Sequence, residues 1–280
     1  MARNERPQWA RLDIDGNVLL ADLASGSSLA RPIEFEGPQL RCFGADAARS
    51  TPLVVGSFNG RVSQGASCNC STLQLTPHAN GTHTESVAHL TLEPLDAFRV
   101  IPRRLLVAVL ISVDPEIAAD SRESSVPEPH GDDLLITRAA LERAWPIAPL
   151  PRLQARAVVI RTLPNERLKF AADAARGAPF LSVEAARGLV ERGIEHLVLD
   201  VPSADRDSDG GELTAHRVFF GLPRGVTALA SAQRRDSTIT ELAFIDDVIT
   251  DGWYFLSLQA PAIAGDAVPS RPLLYPLRAA

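Results

Sequence analysis

The chain has 280 residues, 45% hydrophobic and 22% charged, a balance that excludes disorder, collagen-like repeats and coiled coil. Lys and Arg number 28 against 34 Asp and Glu, a formal charge of −6. That sign argues against partners such as nucleic acid or an anionic membrane, which draw on clustered positive charge. The three cysteines, Cys42, Cys68 and Cys70, form no disulfide framework and no C-x-x-C pair, and they read as buried or semi-buried thiols.

In chain order, Met1 to Pro7 is charged with no apolar stretch behind it, so no signal peptide is expected and a reducing cytoplasm is. The longest apolar run, residues 105–111, falls far short of the roughly 20 residues a bilayer span needs. It predicts a buried strand over 105–113. A helix is predicted over 137–144, where Leu141 and Ala144 share a face, and a strand over 157–162. Next comes the clearest helix, 183–192. Ser182 can cap its start, Glu184 lies in the first turn where the macrodipole favours an acid, and Gly193 can close it. Strands over 196–201 and 254–259 complete the set. Helix, short Gly loop and apolar strand in succession point to an α/β layer. Loops are expected over 114–133, 203–212 and 260–276. None is long or featureless enough for a linker, so residues 1–280 read as one domain.

Three of the six histidines fall in one segment, His78, His83 and His89, with Glu85 between them. Imidazoles clustered with a carboxylate are how a metal site reads in a sequence. In an extended segment His83, Glu85 and His89 share parity and point the same way. If the later half is helical, Glu85 and His89 stand at i, i+4 and still share a face. His78 has the opposite parity, but the Asn80-Gly81 turn signal could fold it back toward His83. The zinc-protease H-E-x-x-H is absent, and the H-x-E of zinc deaminases lacks its downstream P-C-x-x-C. No G-x-S-x-G elbow, Walker A loop or dinucleotide fingerprint is present either. His130 reads as a loop residue and His196 as a core or capping histidine. Asp200, at a strand end, reads equally as site-lining or structural, and Asp205 with Arg206 as a loop brace at least as readily as a functional pair. Trp9, Trp145 and Trp253 read as packing residues.

The segment resembles the H-x-G-T-H-x-D-x-P-x-H signature of the metal-dependent cyclase family, which includes bacterial kynurenine formamidases and isatin hydrolases. Gly81, Thr82, His83 and His89 match, Glu85 stands where Asp is usual, and Val87 replaces the Pro. Asp200 through Arg206 and Thr214 through Arg217 are similar to a late D-x-x-S-x-D block and its following histidine. Ser237 through Glu241 is similar to a run carrying a metal carboxylate. The N-G-T-H-T-E form is read as a subfamily trait.

The resemblance implies that His83, Glu85, His216 and Glu241 bind metal and that His89 transfers protons. His78 joins the ligands if the loop carries a one-residue shift, since strict alignment places Ala79 there. It also implies a swivelling β/β/α-type α/β fold with a mixed sheet and flanking helices, and a homodimer. The donor set suits one or two ions of Zn²⁺ or Mn²⁺. The expected activity is arylformamidase-like hydrolysis of a small amide, formamide or cyclic amide, with no nucleic-acid or membrane partner. The rival expectation is a non-catalytic metal or small-molecule binding protein on the same scaffold.

Overall fold

A computed structural model describes residues 6–166, 169 and 174–280. The strands along the path of its main sheet, numbered along the chain, are β1 (Trp9–Ile14), β2 (Asn17–Asp22), β3 (His83–Glu85), β4 (Leu106–Val113), β5 (Ala157–Thr162), β6 (His196–Leu199), β7 (Thr238–Glu241), β8 (Gly252–Ser257), β9 (Ala267–Pro269) and β10 (Leu273–Ala279). They lie in one sheet in the order β1-β2-β10-β8-β4-β5-β6-β7-β3-β9. The helices that matter to the site are α1 (Pro77–Asn80), α2 (Arg138–Ala144), α3 (Val183–Glu191) and α4 (Thr214–Phe220).

The middle of the sheet, β4 to β7, is parallel, and both its flanks are antiparallel. A parallel sheet is covered on both faces, which is why these strands are continuous apolar runs rather than alternating ones. On one face Val109, Ile111, Val158, Ile160, Leu197, Leu199 and Ile239 pack against Leu141 of α2, Ala185 and Leu189 of α3, and Phe219 and Phe220 of α4. Their neighbours in sequence, among them Ala108, Leu110, Val159 and Val198, face the other side with Leu256 and Val268. The mixed sheet with flanking helices agrees with the expected α/β class.

Local signals set the helix starts. The Ser182 hydroxyl accepts from Ala185 N–H at 2.9 Å, and the Thr137 hydroxyl from Ala140 N–H at 3.1 Å. Gly193, at φ +75°, follows α3 in the left-handed conformation a glycine adopts without strain. Expected strand ends moved by one to two residues: the first starts at Leu106, the third ends at Leu199, and the last covers Gly252–Ser257.

Two expectations need correction. The stretch 260–276 is not all loop: β9 and most of β10 lie in it, with Pro269 on the sheet's outermost strand, where a missing N–H costs no ladder bond. The 114–133 stretch contains a short strand, Glu116–Ile117, paired with Leu134–Ile136. The hairpin β1–β2 was not anticipated. Its signal is Asp15-Gly16, both at positive φ, the turn pair a tight hairpin favours.

His196 is a core residue, as its position suggested. It is 3% exposed and its Nδ1 lies 2.9 Å from Thr238 Oγ1. Burial, reinforced by the charges of Arg104 and Arg234, pushes its pKa down to about 4. In the unfolded chain the ring titrates near 6.5, so the unfolded state takes up the proton first. Its contribution to stability is therefore whole above about pH 6.5 and is lost as pH falls toward about 4, by about 3 kcal/mol in all. Urea unfolding between pH 7 and 4.5 is expected to show this loss, and His196→Gln to flatten it. An unchanged pH slope in the variant contradicts the assignment.

Candidate metal centre

β3 pairs antiparallel with β7 so that His83 stands opposite Glu241 and Glu85 opposite Ile239. Side chains alternate across a sheet, so His83, Glu85 and Glu241 share the helical face. The other face of the same pair carries Thr84 and Thr240, whose hydroxyls meet at 2.7 Å. α4, packed on the helical face, brings His216 to the three.

Each residue of the N-G-T-H-T-E segment has a structural reason. Asn80 ties three backbone groups: its Nδ2 donates to Leu40 O and Asp46 O, and its Oδ1 accepts from Thr76 N–H. At Gly81 a Cβ would lie 2.9 Å from Ile33 Cγ1, so a side chain there displaces its neighbour. The Thr82 hydroxyl donates to Leu242 O at 2.6 Å and accepts from Arg31 N–H at 3.0 Å, pinning the segment to the end of β7. His83 Nδ1 faces Gly81 O at 3.0 Å and donates to it, which turns Nε2 inward.

The structure brings all six sequence-predicted site residues together. His216 Nε2 lies 3.0 Å from Glu85 Oε1 and 3.3 Å from Glu241 Oε1. His83 Nε2 lies 3.5 Å from Glu241 Oε2, and His78 Nδ1 3.2 Å from Glu85 Oε2. His89 sits on the 3₁₀ turn Val87–Leu90, its ring centroid 5.7 Å from that of His216. His78 enters from α1, its ring 5.0 Å from that of His83. Ala79, the strictly aligned residue, is instead buried with Leu40, Cys42 and Leu242. His130 is an exposed loop residue. Asp200 is held by Thr162 and Lys169, its carboxylate accepting from Lys169 Nζ at 2.6 Å.

Two carboxylates at the site have places that differ from the sequence reading. Asp205 is not paired with Arg206, which instead reaches Asp133 at 3.0 Å. It accepts from the N–H groups of Ala215 and His216 at 2.7 and 3.0 Å, capping α4, and from His216 Nδ1 at 2.6 Å. The same carboxylate therefore fixes the helix start and aims His216 Nε2 at the cluster. Asp266, in the tail read as loop, touches His78 and His89. Spacing gave no signal for it, because only the pairing of β9 with β3 brings it there.

The atoms facing inward fit a cation. His83 Nε2, both Glu85 oxygens and His216 Nε2 are buried and make no hydrogen bond. Orphaned polar atoms are costly in a protein interior, and four converging from three residues on two elements, β3 and α4, call for a shared partner. Ligand atoms of His78, His83 and Glu85 lie within 4.8 Å of one another, as do those of Glu85, His89 and His216. Glu85 is common to both groups.

The electrostatics agree. Burial favours a neutral Glu85, yet the imidazoles of His89 and His216 and the contact with His78 hold it well below the usual carboxylate range. Burial disfavours charge on His216, but Glu85, Asp205 and Glu241 hold its pKa well above the ordinary value. Against the same burial, Asp266 and Glu85 push His78 up to about 10. The pocket favours positive charge, which a divalent ion would supply.

Asp205→Ala is expected to weaken Zn²⁺ binding by about 10- to 100-fold, the usual effect of losing a histidine's supporting carboxylate. It should also cost about 1 kcal/mol of stability through the lost cap. Calorimetric titration and urea unfolding measure the two effects, and unchanged Zn²⁺ affinity in a folded variant contradicts the aiming role.

No curated protein matches the chain. Among solved structures it is similar to a predicted metal-dependent hydrolase from Bacillus stearothermophilus, at 17% identity and TM-score 0.56, over 90% of this chain and 98% of that one. An isatin hydrolase bound to the product analogue thioisatinate matches at 16% and 0.55, over 91% and 93%. Isatin hydrolase A from Labrenzia aggregata, bound to benzyl benzoate, matches at 16% and 0.54, over 89% and 93%. At such identities the likeness is one of fold. The family model described as putative cyclase matches residues 5–206, a span that takes in His78 through His89 and Asp205, and the chain belongs to that family.

Proposed function

We propose that the protein is a metal-dependent hydrolase of a small amide, a formamide or cyclic amide in the manner of an arylformamidase. His78, His83, Glu85, His216 and Glu241 hold one or two ions of Zn²⁺ or Mn²⁺, and His89 is the general acid and base. The observation that carries this reading is the set of buried, unpartnered atoms on His83, Glu85 and His216. Family membership supports the reading, as do neighbours named as metal-dependent hydrolase and isatin hydrolase.

A bound divalent cation would supply a Lewis acid for the carbonyl and a water made acidic enough to attack at neutral pH. The chain's own groups do the rest. His83, Glu85, His216 and Glu241 are almost wholly buried, whereas the side chains of His78, His89 and Asp266 are 24%, 27% and 44% exposed. Substrate therefore meets the cluster from the His89 side. There His89 takes a proton from the attacking water and returns it to the leaving nitrogen as the C–N bond breaks. Water's oxygen ends on the acyl carbon and its two hydrogens are shared between the products. No protein nucleophile is needed. The same reading takes residues 1–280 as one domain, working as a cytoplasmic homodimer.

Chelation is expected to abolish turnover across a panel of formamides, cyclic amides and lactones, and Zn²⁺ or Mn²⁺ to restore it. Full activity in protein shown by elemental analysis to be metal-free overturns the proposal. His89→Ala should lower turnover by about 10²–10⁴-fold while the metal stays bound. Metal-loaded protein inert toward the whole panel would point to the binding-protein reading instead.

A further inference from the structure

Asp266 belongs to none of the motifs above. It stands directly before β9, where Ala267 pairs with Glu85, and its carbonyl accepts from Ser86 N–H at 2.9 Å. Two backbone ties thus hold it beside the open edge of the cluster. One carboxylate oxygen, Oδ2, lies 2.9 Å from His78 Nε2 and 3.3 Å from His89 Nδ1. The two rings lean on each other, 4.3 Å between centroids and 30° between planes.

An ionised carboxylate only accepts hydrogen bonds. Each nitrogen facing Oδ2 therefore carries a proton, and the two histidines are left with opposite free atoms. His78 is held protonated on Nε2, so Nδ1, which faces Glu85 Oε2 at 3.2 Å, is the one nitrogen it could give to an ion once a cation replaces the proton between them. His89 is protonated on Nδ1, so Nε2 is the atom available to take a proton. Which ring nitrogen is free decides whether an imidazole can ligate or act as base, and the hydrogen bond on the other nitrogen sets it. Asp266 also lies near enough to both rings to join them around an ion. Its oxygens, however, are not among the cluster's unpartnered buried atoms, which lie on His83, Glu85 and His216.

Resting on the hydrolase reading, we infer that Asp266 is a positioning residue whose single carboxylate oxygen sets the protonated nitrogen of two histidines at once. It commits His78 to ligate through Nδ1 and His89 to act through Nε2. This residue lies outside the segment that carries His78, His83, Glu85 and His89. Its place is created by the strand pairing at the sheet edge.

The test compares wild type, Asp266→Ala and Asp266→Asn by zinc content, steady-state kinetics on the best amide of the panel, and ¹⁵N NMR of the histidine rings. Wild type should show the His89 proton on Nδ1. Both variants should keep the wild-type zinc equivalents and a KM within about twofold, yet lose about 100-fold or more in kcat. In Asp266→Ala the His89 proton should leave Nδ1. Loss of a zinc equivalent in Asp266→Ala at saturating zinc makes Asp266 a ligand and overturns the inference, as does an unchanged His89 ring or an unchanged kcat. If wild type takes up neither zinc nor manganese, the hydrolase reading falls separately. The ring spectra of the metal-free protein then still report whether Asp266 holds the two protons: their loss in Asp266→Ala supports the positioning role and their persistence overturns it.

Discussion

A carboxylate with no exposure and no hydrogen-bond donor is the constraint around which the site is arranged. Both oxygens of Glu85 are buried and unpartnered. Taking an ionised carboxylate out of water costs several kcal/mol unless opposite charge is placed close by. Glu85 has that charge on both sides, with His216 Nε2 near Oε1 and His78 Nδ1 near Oε2. The contacts answer the charge without satisfying the lone pairs. The side chain is also one methylene longer than the Asp usual at this position. That extra reach, on the order of 1.5 Å, carries the carboxylate away from the strand and in between imidazoles arriving from α1 and α4.

Such an arrangement needs rigid support, because a small shift would separate the groups. β3 is held between β7 and β9, and its register fixes which side chains face the helices. A slip of one residue would turn His83 and Glu85 to the opposite face and put Thr84 among the imidazoles. The hydroxyl pair Thr84–Thr240 and the link from Thr84 to Ser270 hold that register from the far face. Thr82 and Asn80 hold the approach to it. Asp205 does the same for His216, since one carboxylate secures both the start of α4 and the ring.

The elements that could be read from the sequence were those with local causes. β5 and α3 follow from an apolar run, a capping serine and a closing glycine, each within a few residues. His83, Glu85 and His89 could be read because they lie within one turn and one short strand, so their convergence needs no long-range information. The same holds for the expectation that Asn80-Gly81 returns His78 toward His83. Asp266 could not be read this way. It reaches His89 across 177 positions, through an edge strand whose proline and loop-like composition disguise it. Asp205 was visible in the D-x-x-S-x-D resemblance, but its neighbour Arg206 offered a nearer and misleading partner. The β1–β2 hairpin had a local signal in Asp15-Gly16 that alternation of its flanks would have supported.

The cluster has two halves with different physical demands. Groups that hold a cation work best where water is excluded and the local dielectric is low, since charge interactions are strongest there. A group that passes protons to and from a substrate must be reached from solvent. His83, Glu85, His216 and Glu241 meet the first demand, set on sheet and helix beneath the surface. His89, on a short 3₁₀ turn at the rim, meets the second. The price of that exposure is orientational freedom, because a half-open imidazole without packing on all sides can turn. On the proposed reading the Asp266 carboxylate removes that freedom without closing the rim, since it meets His89 through Nδ1 and leaves Nε2 for the chemistry. A charged hydrogen bond at the edge does for the open half what strand register does for the buried one.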